Sequence, residues 1–225
     1  MAALKKAYLF QDMNDEECSK LINCLSPIVK HYSKKEIIFL TGDHVPYIGI
    51  ILSGTAHAYL EHVDGSQAIM SILTPMKVFG EIIASTKTQI SPVTVCAVTD
   101  VSAVFIEFEK VWSMCAATCT AHKVLLQNML RFVGEKFFYS FDRMNILREK
   151  SLRSKIIAYL YTLSDSGKDT TVTIPFTKTM LADYLLANRS ALSKELRKME
   201  NDGLIAVNRR EVTLTLLSDK TVQYH

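Results

Sequence analysis

Between Thr177 and Ile205 the chain carries side chains spaced for one kind of chemistry. From Arg189 to Asn201 there is neither proline nor glycine, and Leu192, Leu196 and Met199 recur at the intervals of one helix face. On that period the opposite side gathers Arg189, Ser190, Ser193, Lys194 and Arg197, with no acid among them. Guanidinium and ammonium groups donate to the acceptor edge of guanine or to phosphate oxygens, and hydroxyls can serve either. A helix with this side free is suited to a major groove. Ahead of it, Thr177 can cap a shorter helix with Lys178 and Thr179 in its first turn and Met180, Leu181, Tyr184 and Leu185 on its inner face. Ala182 is small where a second helix would cross, and Leu186 to Asn188 form the connecting turn. Gly203 ends the second helix. Leu204–Val207, the polar turn Asn208-Arg209-Arg210-Glu211 and Val212–Leu217 then make a hairpin with a basic tip. A structural helix pair with an ordinary solvated face would explain the helices alone. It does not explain the cap, the small crossing residue, the one-sided cations and the basic hairpin together.

Other reactive side chains are scattered. Cys18, Cys24, Cys96, Cys115 and Cys119 are odd in number and have no disulfide-framework spacing, so they read as free thiols. Cys115 and Cys119 are one helical turn apart, which suits either a thiol or metal pair or two small buried residues. His31, His44, His57, His62 and His122 show no metal-ligand spacing. There is no glycine-rich phosphate loop and no nucleophile elbow, so the sequence predicts neither an enzyme nor a cofactor or metal site.

The net charge of +3 is unevenly placed. Residues 149–225 hold 12 Lys+Arg against 9 Asp+Glu, whereas the first 148 residues hold 14 of each. All of the excess therefore sits with the basic helix, as a polyanion-binding C-terminal domain requires. With 48% hydrophobic and 22% charged residues the chain reads as globular, and no apolar run approaches the roughly 18 residues of a membrane span. Met1 to Phe10 lacks the pattern of a secretion signal, so the expected compartment is the cytoplasm.

The elements that must position these residues follow from periodicity. Asn14 or Asp15 can cap a helix through Cys18, Leu21, Ile22 and Leu25, which Pro27 ends. From about Val29 to Phe108, β-rich runs alternate with turn signals: Ile37–Leu40, Tyr47–Leu52, Thr55–Glu61, Ala68–Leu73, Val93–Val98 and Val101–Ile106, punctuated by Gly42-Asp43, Ser53-Gly54 and Asp64-Gly65. Many short strands at close spacing predict a sandwich or barrel. From about 121 to 148 the pattern turns helical. Leu126, Leu130, Val133, Phe137, Ser140, Met144 and Leu147 alternate spacings of four and three, a seam that predicts a dimer interface through Leu126, Leu130, Val133, Phe137 and Met144. Such a helix is about 40 Å long, more than one small domain covers easily. After it come a helix capped by Ser151, the polar loop Asp165-Ser166-Gly167-Lys168-Asp169 and a short strand Thr171–Pro175.

Over nearly its whole length the sequence resembles the Crp/Fnr family of bacterial transcription regulators. Asn188-Arg-Ser-Ala-Leu-Ser-Lys-Glu-Leu-Arg-Lys-Met-Glu-Asn-Asp-Gly-Leu-Ile205 is similar to the family's recognition helix. Gly42-Asp43, Ser53-Gly54, Asp64-Gly65 and Phe79-Gly80-Glu81 match its β-roll landmarks. The resemblance implies an α+β fold: an N-terminal β-roll of the jelly-roll type, a long dimerisation helix and a C-terminal winged helix-turn-helix. The implied domains are 1–148, a sensor with its dimer helix at about 121–148, and 149–225, which binds double-stranded DNA at an inverted repeat. It places base reading at Arg189 and Lys194, with Thr177, Lys178, Thr179, Asn188, Ser190, Ser193, Arg197, Arg209 and Arg210 as further DNA contacts. Ser190 stands where many members have a glutamate, and Leu186 where the turn usually has glycine.

For the sensor, the resemblance implies an effector pocket at Phe79, Gly80, Glu81, Ser91, Pro92, Phe137, Ser140 and Phe141. Nucleotide-binding members pair the cyclic phosphate with an Arg-Ser step. Here that step is Ser91-Pro92, and no arginine occurs between residues 1 and 130. Lys87 is the nearby cation and cannot supply a bidentate fork. The expectation is an effector other than cyclic AMP. Iron–sulfur members cluster cysteines near the N-terminus, whereas Cys18 and Cys24 have no close third. A redox- or metal-responsive regulator, or a cyclic-nucleotide-binding module acting through protein contacts, are the alternatives. RNA polymerase is an implied partner if the protein activates.

Overall fold

The computed structural model describes residues 2–61, 67–113, 120–164 and 169–215. The expected turn Asp64-Gly65, His62, Cys115, Cys119, Asp165 to Lys168 and the far end of the last strand lie outside them. The chain divides into two compact units, Met1–Glu135 and Lys136–His225.

The first unit opens with two short 3-10 turns, Ala2–Lys6 and Tyr8–Phe10, and α1, Asp15–Leu25. Asn14 caps α1 through a reciprocal pair: its side chain accepts from the Glu17 N–H at 2.9 Å, and the Glu17 carboxylate accepts from the Asn14 N–H at 3.0 Å. Cys18, Leu21, Ile22 and Leu25 form its buried face, as their spacing predicts. The strands are β1 (Ile28–Tyr32), β2 (Ile37–Phe39), β3 (Tyr47–Ser53), β4 (Ala56–Glu61), β5 (Gln67–Leu73), β6 (Val78–Phe79), β7 (Thr94–Ala97) and β8 (Val101–Glu107). They build two antiparallel sheets in the orders β1-β8-β3-β6 and β2-β7-β4-β5. Side chains of alternating parity fill the space between the sheets (Phe39, Ile51, Phe79, Val95 and Phe105 among them). The other side of the first sheet packs on α1 and the N-terminal turns through Ile48, Ile50, Val104 and Ile106. Gly54 has φ +83° and a Cβ there would stand 2.0 Å from the Asp100 carbonyl oxygen, so only glycine closes the β3–β4 turn. Between the strands and after them come α2 (Glu81–Ser85) and α3 (Phe108–Trp112).

The long helix is α4, Thr120–Arg148, continuous through the boundary between the units. Ala121, Leu125 and Met129 join the first core, and Asn128 donates to the carbonyls of Leu9 and Gln11 at 3.3 and 2.8 Å, fixing the N-terminal turns. Ile146 belongs to the second core. The second unit continues with α5 (Leu152–Leu163), β9 (Thr171–Thr173), α6 (Lys178–Tyr184), α7 (Arg189–Asn201), β10 (Ile205–Asn208) and β11 (Glu211–Leu214), the strands ordered β10-β11-β9. No helix among the described residues is long and apolar enough to cross a membrane.

Candidate nucleic-acid interface

Each helix of the C-terminal unit starts at a residue the sequence marks. Ser151 accepts from the Ser154 N–H at 3.0 Å, and Thr177 accepts from the Met180 N–H at 3.2 Å. Asn188 accepts from the Ser190 N–H at 2.9 Å and from the Ser190 hydroxyl at 2.7 Å. Ser190, expected as a free donor, thus has its hydroxyl hydrogen committed to the cap. Ala182 is buried where α6 meets its neighbours, while Met180, expected on the inner face, is exposed because α6 turns it outward beyond Leu181 and Tyr184. Leu186 takes φ +51°, the left-handed conformation the turn demands, and is 70% exposed.

Leu192, Leu196 and Met199 anchor α7 in the core. On its other side Arg189, Ser190, Lys194, Arg197 and Lys198 are exposed and Ser193 is half-buried. The helix carries two acids, and both are held elsewhere. The Glu195 carboxylate accepts from Arg153 of α5 at 2.6 Å, and that arginine also reaches Asp202 at 2.7 Å. The Glu200 carboxylate accepts from the Val207 N–H at 3.2 Å, tying α7 to β10. Among the described residues no carboxylate pairs with Arg189, Lys194, Arg197 or Lys198. Four unneutralised cations therefore share one solvated face, where any polyanion finds charge without displacing an internal partner.

The wing is a two-residue hairpin: Asn208 pairs with Glu211 and the tip is Arg209-Arg210. Arg209 has φ +56°, which such tight turns require of their first central residue. β9 pairs with β11, the second strand of the hairpin, and the Ile174 N–H bonds to the Arg210 carbonyl at 2.8 Å. Thr177, Lys178 and Thr179, at the exposed start of α6, complete the basic rim. An aromatic group holds α6 in place. Tyr184 packs on Tyr159 with ring centroids 5.3 Å apart, and the Arg143 guanidinium of α4 lies 5.0 Å over the Tyr184 ring.

In the first unit, Phe79 is buried over Gly49, where a Cβ would meet its ring at 2.2 Å, and it contacts Phe39 and Phe105 at centroid distances of 6.2 and 5.9 Å. Gly80, at φ +78°, starts α2, and Glu81 is 2% exposed. Ser91 is buried with its hydroxyl donating to the Val93 carbonyl at 2.7 Å, and Pro92 is exposed. Phe137, Ser140 and Phe141 are exposed residues of the second unit, with the two phenyl rings stacked at 6.2 Å. Among the described residues no three His, Cys, Asp or Glu side chains converge on a metal-sized site.

Two families match in tandem. The cyclic nucleotide-binding domain matches residues 29–118, and the Crp-like helix-turn-helix domain matches residues 154–218. The chain belongs to the Crp/Fnr family of transcription regulators. It is a Crp/Fnr-type DNA-binding regulator with an effector-binding domain. Solved structures share the fold. The catabolite activator protein of Thermus thermophilus is 18% identical with a TM-score of 0.56, over 95% of this chain and 97% of that one. The c-di-GMP-responsive global regulator CLP of Xanthomonas campestris is 16% identical with a TM-score of 0.56, over 87% and 98%. A CooA variant of Carboxydothermus hydrogenoformans is 17% identical with a TM-score of 0.58, over 94% and 97%. No curated protein matches the sequence.

In this Crp/Fnr protein the helix-turn-helix match takes in every residue from Thr177 to Arg210, and the sensor match takes in Phe79 to Pro92. Sequence reasoning missed Arg153. Its partners lie 42 and more residues away, so no local pattern announces it. It also missed β1 and β6, because Ile28 and Val29 are exposed and β6 has only two residues.

Proposed function

We propose that this Crp/Fnr regulator acts in the cytoplasm as a homodimer that reads an inverted repeat. A sensing part, 1–148, and a DNA-reading part, 149–225, divide the work, and no catalysis is involved. Arg189 contacts guanine in the major groove and Lys194 reads or steadies a neighbouring base pair. Ser193 and Arg197 hold phosphates, and Thr177, Lys178, Thr179, Asn188, Ser190, Arg209 and Arg210 track the backbone. The observation that carries this reading is the α7 face, whose cations lack acid partners among the described residues because Arg153 and the Val207 N–H occupy Glu195 and Glu200. For the dimer, support comes from α4: Leu130, Phe137 and Met144 are exposed, and Leu126 and Val133 are half-buried.

The effector is a small molecule other than cyclic AMP. Ser91-Pro92 provides no guanidinium, and the Ser91 hydroxyl is already bonded to Val93. Phe79, Gly80, Glu81, Ser91, Pro92, Phe137, Ser140 and Phe141 remain the proposed effector residues. If the protein activates, RNA polymerase is its further partner.

Fluorescence anisotropy with operator and scrambled duplexes at several salt concentrations tests the helix. Arg189→Ala removes a base contact from each half-site, at about 1–3 kcal/mol apiece, and flattens the operator-to-scrambled ratio. Arg197→Ala weakens both duplexes alike and makes the salt dependence shallower. An unchanged ratio in Arg189→Ala would show that α7 does not read sequence.

A further inference from the structure

β1 and β2 are each the outermost strand of their own sheet, so the roll is open along the side where they run. Between these edges lies a cavity of about 320 Å³, whose walls include Lys30 and Tyr32 of β1, Ile38 of β2, and Asp43, His44 and Tyr47 from the chain that follows. These walls are not core: Lys30, Asp43, His44 and Tyr47 are exposed, and Tyr32 and Ile38 are half-buried. Phe105 stands behind them, and the Lys30 ammonium lies over its ring, 5.5 Å from the centroid. Tyr32 meets the same ring edge-on at 6.2 Å. The space over the ring is thus held by a solvated, flexible lysine and not by packed hydrocarbon. Among the described residues, none of the Lys30 ammonium, the Tyr32 and Tyr47 hydroxyls or the His44 imidazole has a hydrogen-bond or ion-pair partner. Among them too, the lining holds one carboxylate, Asp43, and it accepts from the Leu40 N–H at 2.8 Å. A cation and hydroxyl donors beside aromatic rings suit an aromatic anion.

We propose that this side cavity binds a single-ring aromatic carboxylate, its ring against Tyr32 and Phe105 in the space Lys30 now spans, its carboxylate on the displaced Lys30 ammonium and the Tyr47 hydroxyl. The volume sets the limit at one ring, since ligand cavities begin at about 300 Å³. An aliphatic acid gains the charge contact without the ring-on-ring contact, and an aromatic amine meets Lys30 as a like charge. The site shares its Phe79 wall with the proposed effector residues. It needs nothing from Ser91, Phe137 or Phe141, so it stands or falls apart from that reading.

Titration calorimetry of the full chain without DNA, using phenylacetate, cyclohexylacetate, phenethylamine and 1-naphthylacetate, tests the site. The expected result is saturable one-site binding of phenylacetate, with cyclohexylacetate about two- to tenfold weaker. Phenethylamine, of opposite charge, and 1-naphthylacetate, with a second ring, give no saturable heat. Lys30→Met keeps the aliphatic stem, removes the charge and weakens phenylacetate about tenfold or more, whereas Lys30→Arg retains binding. Lys30 is exposed on an edge strand, so both variants keep the wild-type fold, which circular dichroism checks. Phe141→Ala, at the proposed effector residues, leaves phenylacetate binding unchanged. Absence of saturable binding at millimolar phenylacetate, equal binding of phenethylamine, or a Lys30→Met variant that binds like the wild type overturns the site. So does a loss in Phe141→Ala as large as that in Lys30→Met, which would put the ligand at the proposed effector residues instead.

Discussion

Leu186 is the residue at which local strain is most exposed to test. A left-handed backbone costs a side-chain-bearing residue about 1–2 kcal/mol, and at 70% exposure Leu186 recovers little of that by packing. Its place is dictated by the turn, which redirects the chain from α6 to α7. Leu186→Gly relieves the strain and should raise stability by about 0.5–1 kcal/mol, less what glycine adds to the entropy of the unfolded chain. Denaturant melts check this; a lower midpoint would mean that Leu186 makes a contact worth more than the strain. Arg153 illustrates a second lesson at this scale. Its local sequence says nothing of its partners, and its hold on Glu195 leaves the cations of α7 bare.

At the scale of elements, the aromatic cluster between α4, α5 and α6 has a pH signature. Burial raises the Tyr184 phenol to about 12, with nearby Tyr139 adding to the effect and Arg143 opposing it. Burial raises Tyr159 as well, chiefly by desolvation and then through Tyr184 and Tyr139. Both groups are held protonated in the fold, above the ordinary value near 10. Their contribution is therefore fully present below pH about 10 and is lost as pH rises through the folded values. Thermal melts should hold steady from pH 7 to about 10 and then fall, with tyrosinate absorbance appearing alongside unfolding. The Tyr159 hydroxyl is buried with no hydrogen-bond partner among the described residues. Tyr159→Phe should thus be neutral or stabilising by about 1 kcal/mol at pH 7, and should soften the alkaline loss. A large destabilisation at pH 7 would reveal a partner for that hydroxyl.

The seam of α4 leaves large apolar side chains uncovered. Leu130 is 75% and Phe137 62% exposed, an arrangement that a lone helix in water does not favour. In the proposed dimer, Phe137→Asp buries like charges across a two-fold axis and should dissociate it without unfolding either core. Sedimentation velocity decides: a wild type that is monomeric at tens of micromolar rules the dimer out.

For the whole molecule, the roll restricts which ligand the proposed effector can be. A cyclic phosphate needs charge-assisted donors, and the stretch before Arg131 has no arginine to give. Cyclic AMP at micromolar concentration should produce no saturable heat and no change in operator affinity. A stoichiometric isotherm would return the protein to the nucleotide-responsive members of its family.

The sequence alone determined the helices α1, α4, α5, α6 and α7 and most of the strands. Asn14, Ser151 and Thr177 cap helices as their types predict, and the periods of α1 and α7 name their buried residues, because capping and amphipathic burial act within a few residues of chain. It also located the basic face of α7. Only the tertiary structure decided that the acids near this face are held by other partners, since Arg153, Glu195 and Asp202 meet through packing of α5 on α7. It likewise decided that Phe79 fills the roll instead of facing solvent, because Gly49 and Phe105 come from strands distant in sequence. It turned Met180 outward, where helical spacing predicts the inner face. Contacts between distant segments depend on how elements dock, and no local periodicity encodes that.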